Sequence, residues 1–136
     1  VLDVSQKALT LSRLRLGAEG DRVAWIAADI TQWQPRREWD IWHDRAVFHF
    51  LTTPEDRQSY LRALRAGVGP GGFVILASFA PNGPERCSGL PVQRYAVAEL
   101  QAELGEDFDL MHSWAEGHAT PDGEMQAFTW CLFQRV

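Results

Sequence analysis

The sequence holds only two cysteines, Cys87 and Cys131, without the paired spacing of a disulfide framework or a zinc site. Free thiols in a reducing compartment are the expectation. No run approaches the roughly 20 consecutive apolar residues that cross a bilayer. No secretion signal is recognisable either. The expected location is therefore cytoplasmic, with no membrane partner. Basic charge is not in excess: 13 Lys and Arg stand against 18 Asp and Glu, for a net charge of -5. Binding to a phosphate backbone wants a basic face, so nucleic acid is not expected. There is no G-x-G-x-x-G. Gly69, Pro70, Gly71 and Gly72 come before a strand, the wrong order for a phosphate cradle. A nicotinamide-dependent dehydrogenase is poorly supported. No repeat, linker or low-complexity segment interrupts the chain.

What is present suffices for one packed domain over residues 1–136. The chain is 46% apolar and 23% charged, which excludes disorder. It has six tryptophans, and Trp25, Trp33, Trp39 and Trp42 fall close together. They read first as core fillers, with an aromatic ligand wall as the alternative.

The pattern begins inside a strand, residues 1–4. Ser5 caps a helix whose apolar face is Ala8, Leu9, Leu11, Leu14 and Leu16, ending at Gly17. Residues 23–27 form a second strand and residues 39–43 a third. Thr53-Pro54-Glu55-Asp56 is a helix start: a capping hydroxyl, proline at the first helical position, and acids facing the positive helix end. Tyr60, Leu61, Leu64 and Val68 supply the buried stripe. Gly69 to Gly72 reads as a helix stop. Residues 73–79 form a continuous apolar strand, which implies cover on both faces. Residues 80–93 form a long Pro- and Gly-containing loop, residues 97–104 a short helix, and residues 108–114 and 126–133 two last strands around the turn at 120–123. The layout is α/β, a mostly parallel sheet with an antiparallel finish.

The chemistry concentrates in WDIWHDRAVFHFLT, residues 39–52. The strand end carries Asp44, Arg45 and His49, and ligands bind beyond the carboxyl ends of parallel strands. Buried charges need partners, so one reading pairs Asp44 with Arg45. The other aims Arg45 at an anionic or electron-rich substrate. His43 and His49 are acid–base candidates, because imidazole titrates near neutral pH. Asp3 and Asp29 each close an apolar strand. Acids so placed can accept from ribose hydroxyls or an adenine amino group. A zinc site from His43, His49, Cys87, His112, His118 or Cys131 matches no usual ligand spacing, so no metal is expected.

VLDVS, AADIT, WDIWHDRAVFHFLT and GPGGFVILASF, in that order, resemble the successive motifs of class I S-adenosylmethionine-dependent methyltransferases across nearly the whole chain. The resemblance implies a Rossmann-like sheet with an antiparallel C-terminal hairpin, lacking the first strand and helix. It implies S-adenosyl-L-methionine as cofactor and a small-molecule methyl acceptor. Asp3, with Val4, maps to the ribose site, and Asp29, with Ile30, to the adenine. His43, Asp44, Arg45 and Ala46 map to the loop lining the methionine arm and the acceptor. Asp44-Arg45-Ala46-Val47, followed by Arg57 and Tyr60, is most similar to the thiopurine S-methyltransferase branch. The segment Pro84-Glu85-Arg86-Cys87-Ser88 and the later His118, Thr120 and Gln126 depart from that branch, so its architecture carries over and its substrate does not. The missing first strand would lie between the strands bearing Asp3 and Asp44. Its absence implies a fragment of a longer protein or a gap filled by another segment or copy. The alternative function is a non-catalytic remnant that self-associates through open sheet edges.

Overall fold

The computed structural model describes residues 1–136. Its elements are β1 (Leu2–Asp3), α1 (Gln6–Leu16), a 3-10 turn (Gly17–Arg22), β2 (Ile26–Ala27), β3 (Trp39–Arg45), a second 3-10 turn (Phe48–Phe50), α2 (Pro54–Gly67), β4 (Val68–Phe79), β5 (Arg86–Cys87), β6 (Leu90–Pro91), α3 (Val97–Leu104), β7 (Phe108–Ala119) and β8 (Met125–Arg135). The helix starts follow the expected chemistry. Ser5 accepts from the Ala8 amide, Thr53 accepts from the Asp56 amide, and Pro54 opens α2. Gly17 ends α1 at φ 56, where its amide returns to the Leu14 carbonyl. Glu99 accepts from the Ala96 amide at the start of α3.

Strands β3, β4, β8 and β7 form one sheet in that order. β3 and β4 are parallel; β8 runs antiparallel to both β4 and β7. β1 and β2 form a separate parallel pair, and β5 with β6 a small hairpin. Nothing in the chain hydrogen-bonds β1 to β3.

The stretch read as a simple helix stop is part of β4. Trp39 pairs with Val68 and Ile41 with Phe73, so β4 takes up three extra residues in a bulge. Gly71 sits there at φ 83, and a Cβ on Gly72 would meet Val68 Cγ1 at 2.7 Å. The hairpin β7–β8 also outruns the apolar residues that announced it, with Ala119 opposite Met125. Its cross-strand pairing carries Glu116, Gly117 and His118 into the ladder although their own preferences do not.

The main core lies between α2, α3 and one face of the large sheet. Phe48, Leu64, Val74, Leu76, Leu100, Leu104, Cys131 and Phe133 are all fully buried there. Each large apolar side chain buried this way contributes about 1.5–3 kcal/mol. The opposite face is less covered. Phe73 and Ile75 are half-buried and Ile41 is exposed, whereas Ala77 and Phe79 are fully buried, so the expected cover on the second face of β4 is complete only toward its carboxyl end. Helix α1 buries Leu9 but leaves Leu11, Leu14 and Leu16 exposed. No helix is long and apolar enough to cross a membrane.

Leu64→Ala should lower stability by about 2–5 kcal/mol in denaturant unfolding, the cost of a buried cavity. Leu14→Ala, at a position 72% exposed, should change it by less than about 0.5 kcal/mol. A cost for Leu14→Ala as large as that for Leu64→Ala would show that the α1 face is covered in solution.

Candidate functional site

Side chains alternate along a strand, and β3 uses this to separate its charges. Trp42 and Asp44 point into the core. Ile41, His43 and Arg45 point to the open face. The Asp44–Arg45 ion pair, one of the two readings, is therefore absent: neighbours on a strand face opposite ways.

Asp44 is 5% exposed. Its carboxylate accepts from the Val47 amide at 2.9 Å, the Phe48 amide at 3.1 Å and the Tyr60 hydroxyl at 2.7 Å. The Tyr60 oxygen in turn accepts from the Trp42 indole at 2.9 Å. Burial pushes the Asp44 carboxyl up from the usual range, and its three donors pull it back. Burial, together with the Asp44 charge, pushes the Tyr60 hydroxyl well above its ordinary value. Asp44 thus holds the turn after β3, in which Ala46 takes φ 65.

Arg45 has no carboxylate partner. Its guanidinium lies 4.7 Å from the centre of the Phe128 ring, within cation–π range. Beneath it is a second apolar cluster of Ala77, Phe79 and Phe128, flanked by Ala46, Cys87, Val92 and Trp130. His43 is exposed on the same face, its ring centre 6.0 Å from that of Trp130.

His49 is placed differently from the expectation of an acid–base group. It is fully buried, its ring centre 4.6 Å from those of both Phe50 and Phe79. Its Nδ1 accepts from the Phe79 amide at 3.3 Å. Burial lowers its pKa to about 4. A neutral imidazole that accepts at Nδ1 carries its proton on Nε2. Its one free lone pair is engaged by the Phe79 amide and its ring is sealed from solvent, so the structure gives His49 a structural place and not the expected acid–base one.

Asp3 and Asp29 lie at the same, carboxyl end of the β1–β2 pair, where Asp3 is in register with Ala27. Asp3 Oδ1 accepts from the Ser5 amide at 2.7 Å, and Asp29 Oδ1 accepts from the Thr31 amide and hydroxyl. The second oxygen of each carboxylate has no partner in the chain. Val4 is 73% exposed beside Asp3. Ile30 is buried in the main core, so only its backbone can face a ligand. A cleft of about 570 Å³ beside Asp29 is lined also by Ala28, Gln32, Trp33, Gln34, Pro35 and Arg36. Trp33 packs 5.9 Å from Trp39 and 6.4 Å from Trp42; Trp33 and Trp42 are half-buried against the core, and Trp33 lines the cleft as well. No three His, Cys, Asp or Glu side chains come together as a metal site would need.

Three features of the site were only partly signalled by sequence. Tyr60 was visible as part of an apolar stripe, but its hydroxyl partner was not. The split between Asp44 and Arg45 was available from strand alternation. Phe128 gave no signal, because its link to Arg45 spans three strands.

No protein-family model and no curated protein matches the sequence. Solved structures do match its fold. The N-methyltransferase NodS from Bradyrhizobium japonicum WM9, in complex with S-adenosyl-L-homocysteine, is 17% identical with a TM-score of 0.72, over 99% of this chain and 65% of that one. Burkholderia thailandensis 1,6-didemethyltoxoflavin-N1-methyltransferase, bound to 1,6-didemethyltoxoflavin and S-adenosylhomocysteine, is also 17% identical with a TM-score of 0.72, over 99% of this chain and 60% of that one. An S-adenosylmethionine-dependent methyltransferase from Clostridium acetobutylicum is 10% identical with a TM-score of 0.75, over 98% of this chain and 73% of that one. The chain spans about 65% of the length of NodS. At these identities the likeness defines the fold: an α/β fold of the S-adenosylmethionine-dependent methyltransferase type, with a parallel part and an antiparallel part.

His49 also sets a pH dependence. Its pKa falls from 6.5 to about 4 on folding, so the unfolded chain binds more protons between these values. Its contribution is present above pH 6.5 and is lost as pH falls toward 4, an effect of about 3 kcal/mol. His49→Gln keeps an acceptor for the Phe79 amide and removes the titration. The stability gap between wild type and this variant should narrow on acidification, as read by urea unfolding; a constant gap would refute the assignment.

Proposed function

We propose that the chain is part of an S-adenosylmethionine-dependent methyltransferase acting on a small molecule. The observation that carries this is the pair of half-used carboxylates, Asp3 and Asp29, at one edge of a parallel strand pair in a methyltransferase-type fold. Asp3 would accept from the cofactor's ribose hydroxyls and Asp29 from its adenine amino group. Val4 and the Ile30 backbone would flank the adenosyl group. S-adenosyl-L-methionine, when bound, supplies a methyl group already activated on a sulfonium. What remains for the protein is proximity, alignment and exclusion of water.

Arg45 is the acceptor-facing residue in this reading. An unpaired guanidinium over an apolar patch suits a flat acceptor with an anionic or electron-rich group. His43, exposed on the same face, would take a proton from a hydroxyl or amine acceptor. Asp44 serves by holding the turn. The Asp44-Arg45-Ala46 sequence supports a likeness to the thiopurine S-methyltransferase branch at this turn only.

The unbonded edges of β1 and β3 support a further strand lying parallel between them. Such a strand would connect the two sheets and complete the cofactor cleft. Connections between parallel strands are right-handed. Its crossover helix to β1 would therefore lie on the α1 side, opposite α2, where Ile41 and the α1 leucines are exposed. The same exposed surfaces favour the second reading, a non-catalytic remnant that associates with itself through these edges. The two readings differ in cofactor binding.

In this chain, calorimetric titration should show weak or no binding of S-adenosylhomocysteine. A form carrying the bridging strand should bind it. Asp3→Ala in that form should weaken binding by about 1–3 kcal/mol; unchanged affinity would refute the ribose role. Arg45→Ala should lower acceptor turnover more than cofactor affinity. If it unfolds the domain instead, its contact with Phe128 is structural.

A further inference from the structure

The turn that carries Arg45 is held from two sides. The Ala46 amide donates to the Ala77 carbonyl at 2.9 Å, which fixes its start against β4. The Val47 and Phe48 amides donate to Asp44. Between these anchors Ala46 adopts φ 65, a left-handed conformation that residues with a Cβ avoid. A strained turn persists only when its surroundings fix it. Here the fixing group is a carboxylate inside the core, an expensive group to bury unless its lone pairs are used.

The two amides take one oxygen each, Val47 donating to Oδ1 and Phe48 to Oδ2, and the Phe48 contact is the longer of the two. The Tyr60 hydroxyl, on α2 sixteen residues away in sequence, takes up Oδ2 as a third donor. The hydroxyl is itself directed. An indole N–H can only donate, so Trp42 occupies a lone pair of the Tyr60 oxygen and leaves its proton aimed at Asp44. The relay is Trp42, Tyr60, Asp44, then the Val47 and Phe48 amides. Tyr60 is 1% exposed and cannot reach a ligand.

We propose that Tyr60 is a positioning residue that acts through Asp44 to set the turn at residues 45–48 and so the direction of Arg45. The relay ties the placement of α2 to the acceptor side of the site. The role of the turn rests on the methyl-transfer reading; the way it is held rests on the hydrogen bonds alone.

Tyr60→Phe keeps the ring and removes the hydroxyl. By nuclear magnetic resonance, the Val47 and Phe48 amide protons should shift upfield and exchange roughly tenfold faster, the scale of one lost hydrogen bond. The Asp44 carboxyl should titrate at higher pH. Amides of Ala115 and Thr129 in the β7–β8 hairpin should not move, which separates a local effect from general loosening. Unmoved Val47 and Phe48 amides would overturn the proposal. If Tyr60→Phe fails to fold, Trp42→Phe, which keeps the hydroxyl but frees its orientation, should shift the same two amides the same way by less; no shift overturns it. None of these readouts uses cofactor. S-adenosylhomocysteine affinity in the form with the bridging strand tests the methyl-transfer reading separately.

Discussion

One carboxylate dictates most of what happens at the carboxyl end of the large sheet. Asp44 lies inside the core, and a charge there persists only while its oxygens are fully used. Its demand for donors pulls in two backbone amides from the following turn and a hydroxyl from α2. Meeting that demand bends the chain sharply after β3 and forces Ala46 to a positive φ. Because adjacent strand residues alternate, placing Asp44 inward obliges Arg45 to face outward. The unpaired guanidinium and the buried carboxylate are two consequences of one strand direction.

The energy of the fold is unevenly distributed. Sixteen buried residues form the core between α2, α3 and one face of the sheet. The β1–β2 pair is held by two residues in each strand, with one buried leucine from α1. Parallel sheets are ordinarily covered on both faces, and two-stranded units are marginal alone. The strand-end acids stand on this weak unit, whereas Arg45 stands on the strong one. Any ligand touching both would depend on how firmly the two are joined, so the open edges of β1 and β3 bear directly on function.

Local chemistry made part of this legible. Ser5, Thr53 and Pro54 marked helix starts because capping is decided by nearby residues. The apolar run at residues 73–79 marked the central strand. The acids at the ends of β1 and β2 were found because a strand end has a composition. The reading failed where a distant partner decides. Glycine and proline in residues 69–72 signalled the end of α2, which does stop at Gly67, but not that the same residues would bulge inside β4 between its pairs with β3. His49 resembled a titratable site residue until Phe50 and Phe79 closed around it. The link between Arg45 and Phe128 depends on strand order, which no local pattern contains.

These contrasts divide the histidines and the arginine by what surrounds them. His49 is neutral across the physiological range because the core repels its charge, and its single accepting nitrogen is already committed. His43 is exposed on the Arg45 face, where the His118 ring also lies 6.4 Å from that of Phe128. Under the proposed methyl-transfer reading a sulfonium donor would ask little of acids and bases, so such a site would need shape and a steering charge more than a proton relay. The open face has a guanidinium without a carboxylate partner 4.7 Å from the centre of a phenyl ring, Ala46, Cys87 and Val92 packed against the apolar cluster beneath it, and an imidazole two residues back along the same strand. In the proposed reading, an unpaired cation here would stay available to a ligand. Had Asp44 faced outward beside it, each would have neutralised the other, and the turn after β3 would have lost its anchor.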